Sequence, residues 1–254
     1  MKRFDGVLLA SDYDGTMYCG GNVGQDNIDA IRYFEENGGR FTMATGRHGS
    51  FIMAQDFPVK VNAPVICVNG TMLYDHERCV PLEVFPMSTD CMEELKWAID
   101  NHPFIQDVSY VLSDDEAANW MPREEIYPHL MASGRTDQIL KMVIHPDTPE
   151  HTLELQAEWL ARLGGRFSLE RSWDRGVELF RAGTGKGFLL TRLKERLHAD
   201  LSVAVGDYEN DITLLRMADI GYAVSNALPC TLAAADRVTV SGGENALAKI
   251  IFEL

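Results

Sequence analysis

The chain has 254 residues, 46% of them hydrophobic and 9% aromatic, which suits one large globular domain or two smaller ones with a sizeable core. A formal charge of -15 and a pI near 4.8 argue against a nucleic-acid binder, which needs a basic stripe. Five widely spaced cysteines (Cys19, Cys67, Cys79, Cys91 and Cys230) form no Cys-x-x-Cys pair, which argues against a disulfide framework or a zinc site.

At the start of the chain, Asp5 interrupts the basic Met1-Lys2-Arg3, and the apolar run that follows is too short for a signal or a membrane span. A cytoplasmic protein is expected. That run, Val7, Leu8, Leu9 and Ala10, reads as a buried strand ending in Ser11-Asp12-Tyr13-Asp14-Gly15-Thr16. Carboxylates beside a core need positive partners.

Residues 27–37 place Ile28, Ile31 and Phe34 on one helical face, with Gly38-Gly39 as a stop. A second strand over 40–44 ends in Thr45-Gly46-Arg47, and a third over 64–68 ends in Asn69-Gly70. Short apolar runs alternating with helices predict a parallel sheet with crossover helices. Ligands of such sheets bind beyond the carboxyl ends of the strands, so these polar ends should converge.

The texture then changes. Residues 71–82 read as a hairpin around Asp75-His76-Glu77-Arg78, and Asp90 with Glu93 reads as a capping box opening a helix through Asn101. Residues 113–137 read as an irregular polar stretch, followed by a strand over 139–145. Thr148 and Pro149 open a helix with Leu153, Ala157, Leu160 and Ala161 along one face, closed by Gly164-Gly165. Strands over 167–171 and 177–181 complete the block. Residues 83–182 are thus expected to form an α+β unit inserted into a sheet domain made of 1–82 and 183–254.

After the insert, Lys186 begins a helix with Leu189, Leu190, Leu193 and Leu197 on one face. A strand over 202–205 ends in Gly206-Asp207-Tyr208-Glu209-Asn210-Asp211. Asp12, Asp14, Asp207 and Asp211 gathered at one sheet edge would repel unless a cation neutralised them, and an all-oxygen donor set points to magnesium (Mg2+). Lys186, Thr45 and Arg47 suit a phosphate group that also meets the metal. Asp12 is then the candidate nucleophile and Asp14 the acid and base.

These residues resemble the haloacid dehalogenase superfamily of phosphotransferases, in particular the Cof-type phosphatases with an inserted cap. Asp12-Tyr13-Asp14-Gly15-Thr16 is similar to the first motif, Thr45 in Ala-Thr-Gly-Arg to the second, Lys186 in Gly-Lys-Gly to the third, and Asp207 with Asn210 and Asp211 to the fourth. The pattern departs from the family at Gly183-Thr184-Gly185, where a Val-Ser type pair is more usual.

The resemblance implies a Rossmann-like α/β core with an α+β cap and a magnesium ion held by Asp12, the Asp14 carbonyl and Asp207. It also implies a phosphoryl group bound by Thr45, Gly46, Arg47, Asn69, Lys186 and Asn210, with the Asn226-Ala227 loop lining the site. The expected activity is hydrolysis of a small phosphorylated metabolite, such as a sugar phosphate, by a monomer or homodimer. Two alternatives stand beside it: a phosphomutase of the phosphomannomutase type, and a regulatory protein that binds phosphate without turnover.

Each residue also has a plainer explanation. Asp-x-Asp-Gly-Thr alone could be a solvated Asx turn, Thr45 a helix cap, Arg47 half of a surface ion pair and Lys186 a solvated helix start. The glycines at 183–187 match neither a Walker loop nor Gly-x-Gly-x-x-Gly. Trp120, Trp159 and Trp173 are expected to pack inside the insert, whereas Arg123, His129, Arg135, Arg171 and Arg175 read as surface residues that could alternatively face substrate.

Overall fold

The computed structural model describes residues 2–53, 58–114 and 120–254. The chain divides into two compact units, Met1–Leu82 with Gly185–Leu254, and Glu83–Thr184.

The first unit is built on five parallel strands in the order Arg237–Val238, Ile220–Ala223, Leu201–Gly206, Val7–Ser11 and Arg40–Met43. Val7–Ser11 is an inner strand, paired on both sides, with Leu9 opposite Val203 on one side and Phe41 on the other. Its Leu8, Leu9 and Ala10 are fully buried, as expected of a parallel strand with both faces covered. Helix Gln25–Glu36 buries Ala30, Ile31 and Phe34 and packs against helix Ala246–Glu253. Helix Lys186–Leu197 buries Leu189, Leu190 and Leu193, while Leu197 is only partly buried.

The third expected parallel strand behaves differently. Val65–Cys67 pairs antiparallel with Met72–Asp75, and its parallel pairing toward Arg40–Met43 is the single bridge between Ala44 and Ile66. The cause is local: Val68, Asn69 and Gly70 all have positive φ (50°, 52° and 84°), so the chain reverses as soon as the strand ends. Met72–Asp75 and Val80–Val84 then form the expected hairpin, with Asp75 Oδ1 accepting from the N–H groups of Glu77 and Arg78 in its turn.

The second unit is an antiparallel sheet in the order Phe167–Trp173, Gly176–Arg181, Ile139–Pro146, Ile105–Leu112 and Met121–Pro122. Its core joins Val108, Met142, Ile144 and Leu179 of the sheet with Leu95, Leu155, Trp159 and Leu163 of the helices.

Three expectations for this unit are corrected. Helix Cys91–Asn101 forms, but Asp90 is itself helical in backbone and its side chain does not cap. Helix Pro149–Leu163 has the expected Thr148 cap, accepting from His151 N, and the left-handed Gly164 stop. Its buried face, however, is Thr152, Leu155, Trp159 and Leu163, whereas Leu153 and Leu160 are exposed. Trp159 decides this orientation: its ring fills the core and its Nε1 donates to Glu94 Oε2 at 3.2 Å. Trp120 packs within the unit as expected, with its ring centroid 6.5 Å from that of Trp173 and 5.5 Å from that of His145, yet it remains 46% exposed.

The stretch 113–137 is largely regular. Met121–Pro122 pairs with Ile105–Leu112, and Arg123–Ser133 is a helix. Pro128 lies inside this helix, and the one hydrogen bond it cannot donate is offset by burial of Ile126 and Leu130 and by the Gly134 stop at φ 66°. Residues 115–119 of that stretch lie outside the described residues.

Candidate active site

The end of Val7–Ser11 is flanked in register by the ends of its two neighbours, Ser11 lying opposite Val205 and Met43. Asp12 N extends the ladder by donating to Val205 O at 2.9 Å, and Ala44 N donates to Ser11 O at 2.8 Å. The loops that follow these three strands are therefore brought together by backbone pairing before any side chain is considered.

Gly15 lets the first loop turn. It has φ 89°, and a Cβ there would lie 2.5 Å from Asp207 Oδ2, so both conformation and space require glycine. Beside it, the Thr16 hydroxyl donates to Asp207 Oδ1 at 2.8 Å. Gly242 closes on the same turn, where a Cβ would stand 2.6 Å from Gly15 O, and its N–H donates to Asn226 Oδ1 at 2.9 Å.

Lys186 opens its helix at Gly185, whose backbone lies against Gly70; a Cβ on Gly70 would come within 2.0 Å of Gly185 C. That close approach seats a fully buried ammonium 2.6 Å from both Asp12 Oδ1 and Asp211 Oδ1. Burial opposes the charge on Lys186, but Asp12 and Asp211 outweigh it and push its pKa up. A buried ammonium keeps its charge when the carboxyl groups around it outweigh the cost of burial.

Asp211 is fully engaged. Its Oδ2 accepts from Asp207 N at 2.9 Å and Tyr208 N at 3.2 Å, so it braces the loop as well as the lysine. Asp12 is not: its Oδ2 is buried and receives no hydrogen bond from the described residues. Asp12, Asp207 and Asp211 each offer a carboxylate oxygen within 4.8 Å of the others. Burial, then Asp211, raises the Asp12 pKa well above the usual carboxylate range, and the same two causes push Asp207 to about 6. Three crowded carboxylates, one ammonium and a buried oxygen with no donor fit a hard divalent cation.

The second and third loops complete the rim. Thr45 N donates to Ile66 O at 2.8 Å, its hydroxyl accepts from Arg47 N at 3.1 Å, and its carbonyl accepts from Asn69 N at 3.1 Å. Asn210 Nδ2 donates to Asn69 Oδ1 at 3.2 Å, tying this rim to the loop that carries Asp207. Gly46 lies between Thr45 and Arg47 in the same loop.

Three of the four suggested metal-binding residues bring their carboxylates together. Asp12, Asp207 and Asp211 form the cluster, Asp211 also holding Lys186, while Asp14, expected to contribute its backbone carbonyl, turns its side chain to Arg47. Arg47 Nε and Nη2 donate to the two Asp14 oxygens at 2.8 and 2.6 Å. The ion-pair reading of Arg47 is the one its observed contacts match.

Within the second unit, Arg123 donates to the carbonyls of Ile99 and His102, His129 meets the Tyr110 hydroxyl, and Arg135 pairs with Asp114 and Gln138. Arg175 is exposed and Arg171 partly buried. Sequence reasoning gave no role to Thr16 or Gly242; the Gly-Gly pair after Ser241 was the available signal for the latter. The five cysteines are free, and among the described residues no helix is long and apolar enough to cross a membrane.

The chain is similar to known phosphatases over most of its length. Pyridoxal phosphate phosphatase YbhA of Escherichia coli is 28% identical, over 96% of this chain and 97% of its own. The HMP-PP phosphatase of Serratia proteamaculans is 28% identical, over 87% of this chain and 85% of its own. A HAD-superfamily phosphatase of Bacteroides thetaiotaomicron shares the fold with a TM-score of 0.79 at 22% identity, covering 98% of this chain and 95% of that one. A HAD subclass IIB sugar phosphatase does so with a TM-score of 0.76 at 19% identity, covering 97% and 98%. The model of the haloacid dehalogenase-like hydrolases matches residues 9–251. With its α/β core and the Asp12, Lys186 and Asp207 loops on that core, the chain belongs to the haloacid dehalogenase-like hydrolase family.

Proposed function

We propose that this chain is a magnesium-dependent phosphatase that hydrolyses small phosphorylated metabolites through an aspartyl-phosphate on Asp12. The observation that carries the reading is the asymmetry of the Asp12 carboxylate: one oxygen is held by Lys186 at 2.6 Å, and the other is buried without a donor. A carboxylate oriented in this way is a nucleophile in waiting.

In the first half-reaction an Asp12 oxygen bonds to phosphorus, the ester P–O bond breaks, and Asp14 gives its proton to the leaving oxygen. In the second, water bonds to phosphorus, Asp14 takes the water's proton, and the bond to Asp12 breaks to release phosphate. Lys186, the Thr45 hydroxyl and the Gly46, Asn69 and Asn210 groups hold the phosphoryl oxygens. Asp211 keeps Lys186 and the loop of Asp207 in place. Magnesium, held by Asp12, Asp207 and the Asp14 carbonyl, would supply positive charge against the phosphoryl oxygens.

We assign residues 83–184 as the cap of this enzyme, and the named substrates of the relatives support a small phosphorylated metabolite, a sugar phosphate among the candidates. The free thiols support a reducing, cytoplasmic setting. The test is turnover of a phosphorylated-metabolite panel with magnesium by the wild-type chain and Asp12→Asn. Loss of nearly all turnover in a folded Asp12→Asn supports the reading, and retained turnover excludes Asp12 as nucleophile. With a hexose bisphosphate, release of inorganic phosphate supports a phosphatase, and an isomerised monophosphate would instead make the chain a mutase.

A further inference from the structure

Arg47 follows the Thr45 loop, yet its charge is committed to Asp14. The two N–H to carboxylate bonds are bidentate, at 2.8 and 2.6 Å. The guanidinium carbon lies 3.9 Å from the Phe51 ring centroid and 5.5 Å from that of Tyr13. Tyr13 is itself buried and stacked on Tyr18. The backbone is pinned too, by Arg47 N to Thr45 Oγ1 at 3.1 Å and by Val68 N to Arg47 O at 3.0 Å.

The Asp14 side chain, by contrast, is 49% exposed and is followed by a glycine at φ 89°, so the turn itself leaves its rotamers open. A planar fork gripping both oxygens sets the direction of the carboxylate as well as its position, which a single ammonium would not do. Each oxygen accepts one bond from Arg47 and keeps a second lone pair, so the grip orients Asp14 without closing it to a proton.

We propose that Arg47 is a positioning residue for Asp14, setting the carboxylate for proton exchange with the leaving oxygen, and that it is not primarily a phosphate ligand. This rests on the reading of Asp14 as the acid of the first half-reaction. It adds a division within the Thr45-Gly46-Arg47 loop: Thr45 and Gly46 serve the phosphoryl group, and Arg47 serves the acid.

The test uses a series of aryl phosphates, from p-nitrophenyl phosphate to phenyl phosphate, with magnesium. Wild type is compared with Arg47→Ala, Arg47→Lys, Asp14→Asn and the Asp14→Asn/Arg47→Ala double variant, each checked by thermal melting. The phenolate of phenyl phosphate needs a proton as it leaves, whereas p-nitrophenolate scarcely does.

Arg47→Ala should lose about 100-fold in kcat/KM on phenyl phosphate but only about threefold on p-nitrophenyl phosphate, the range set by general acid catalysis. Arg47→Lys should not restore the difference, and the double variant should be no worse than Asp14→Asn. An equal rise in KM across the series, additive with Asp14→Asn, would make Arg47 a phosphate ligand and overturn the proposal, as would unchanged kinetics. Arg47→Gln, which keeps the stem against Phe51, carries the test if Arg47→Ala does not fold. The parent reading fails separately, by an active Asp12→Asn or a wild type inert on every ester, and the proposal then falls with it.

Discussion

The Lys186 ammonium stands 2.6 Å from Asp12 Oδ1 although the two residues are 174 positions apart, with the whole second unit inserted between them. It reaches Asp211 Oδ1 at the same distance, so one buried cation holds the end of one strand to the loop after another. The pairing therefore belongs to the fold as well as to the chemistry.

Lys186→Met should accordingly damage both. It removes the counter-charge from two buried carboxylates, a change that costs about 3–5 kcal/mol in comparable buried pairs. Urea unfolding at pH 7 should show that loss and phosphatase assays should show no turnover. A variant as stable as wild type would mean that the ammonium is not needed to hold Asp12 and Asp211.

Metal binding is expected to stabilise the chain, because a cation relieves the repulsion among Asp12, Asp207 and Asp211. After treatment with a chelator, adding magnesium at about 100 times its Kd should raise unfolding stability by about 2.7 kcal/mol. Asp207→Asn should lose most of this response. Differential scanning calorimetry with and without magnesium measures it, and an equal response in both proteins would remove Asp207 from the metal site.

Gly70 tests how closely Lys186 must be seated. An alanine Cβ there would lie 2.0 Å from Gly185 C and O, at a φ of 84°. Gly70→Ala should therefore displace Lys186 and cost several kcal/mol, on the order of the largest single-residue effects. Gly183→Ala, with a φ of 74° but open space around it, should cost only the backbone strain of about 1 kcal/mol. Comparable losses in the two variants would show that crowding at Gly185 is unimportant.

The orientation of helix Pro149–Leu163 can be checked with two leucines. Leu155 is fully buried and Leu153 is 51% exposed. Leu155→Ala should cost about 2–5 kcal/mol and Leu153→Ala no more than about 0.5. The reverse order in denaturant melts would return the helix to the face inferred from its leucine and alanine spacing.

Glu35 supplies a pH dependence away from the catalytic loops. Burial pushes its pKa from 4.5 up to about 7, against the opposing charges of Lys60 and Arg40, and its Oε1 is buried without a hydrogen-bond partner among the described residues. Between those two values the folded chain holds a proton that the unfolded chain has released. The favourable contribution is complete below pH 4.5 and is lost as pH rises through about 7. Glu35→Gln should flatten that part of the stability curve and be more stable than wild type at pH 8 by about 1–2 kcal/mol, after allowance for partial exposure. Parallel curves for the two proteins from pH 4 to 8 would contradict the shift.

Much of the site was readable in the chain itself, because its signals are local. An apolar run followed by Asp-x-Asp-Gly-Thr marks a strand end and a tight turn, and Gly-Lys-Gly and Gly-Asp-Tyr-Glu-Asn-Asp mark two more loops. In a parallel sheet such ends must share one edge, which brings Asp12, Thr45 and Asp207 together, whereas Lys186 opens a helix and was assigned by its resemblance to the third family motif. Helix stops at Gly164 and the cap at Thr148 were legible for the same reason, since each depends on a few neighbouring residues.

What only the tertiary structure decided are choices among distant partners of similar local appeal. Leu153 and Leu155 are equally apolar, and the fit of Trp159 and its bond to Glu94 chose the face. Pro128 argues against a helix until Ile126 and Leu130 find a core. Asp14 and Asp211 carry the same carboxylate, yet one meets Arg47 and the other Lys186. Sequence spacing names the charged groups, but long-range packing determines which pairs come within hydrogen-bonding distance, and that selection gives each carboxylate its separate task.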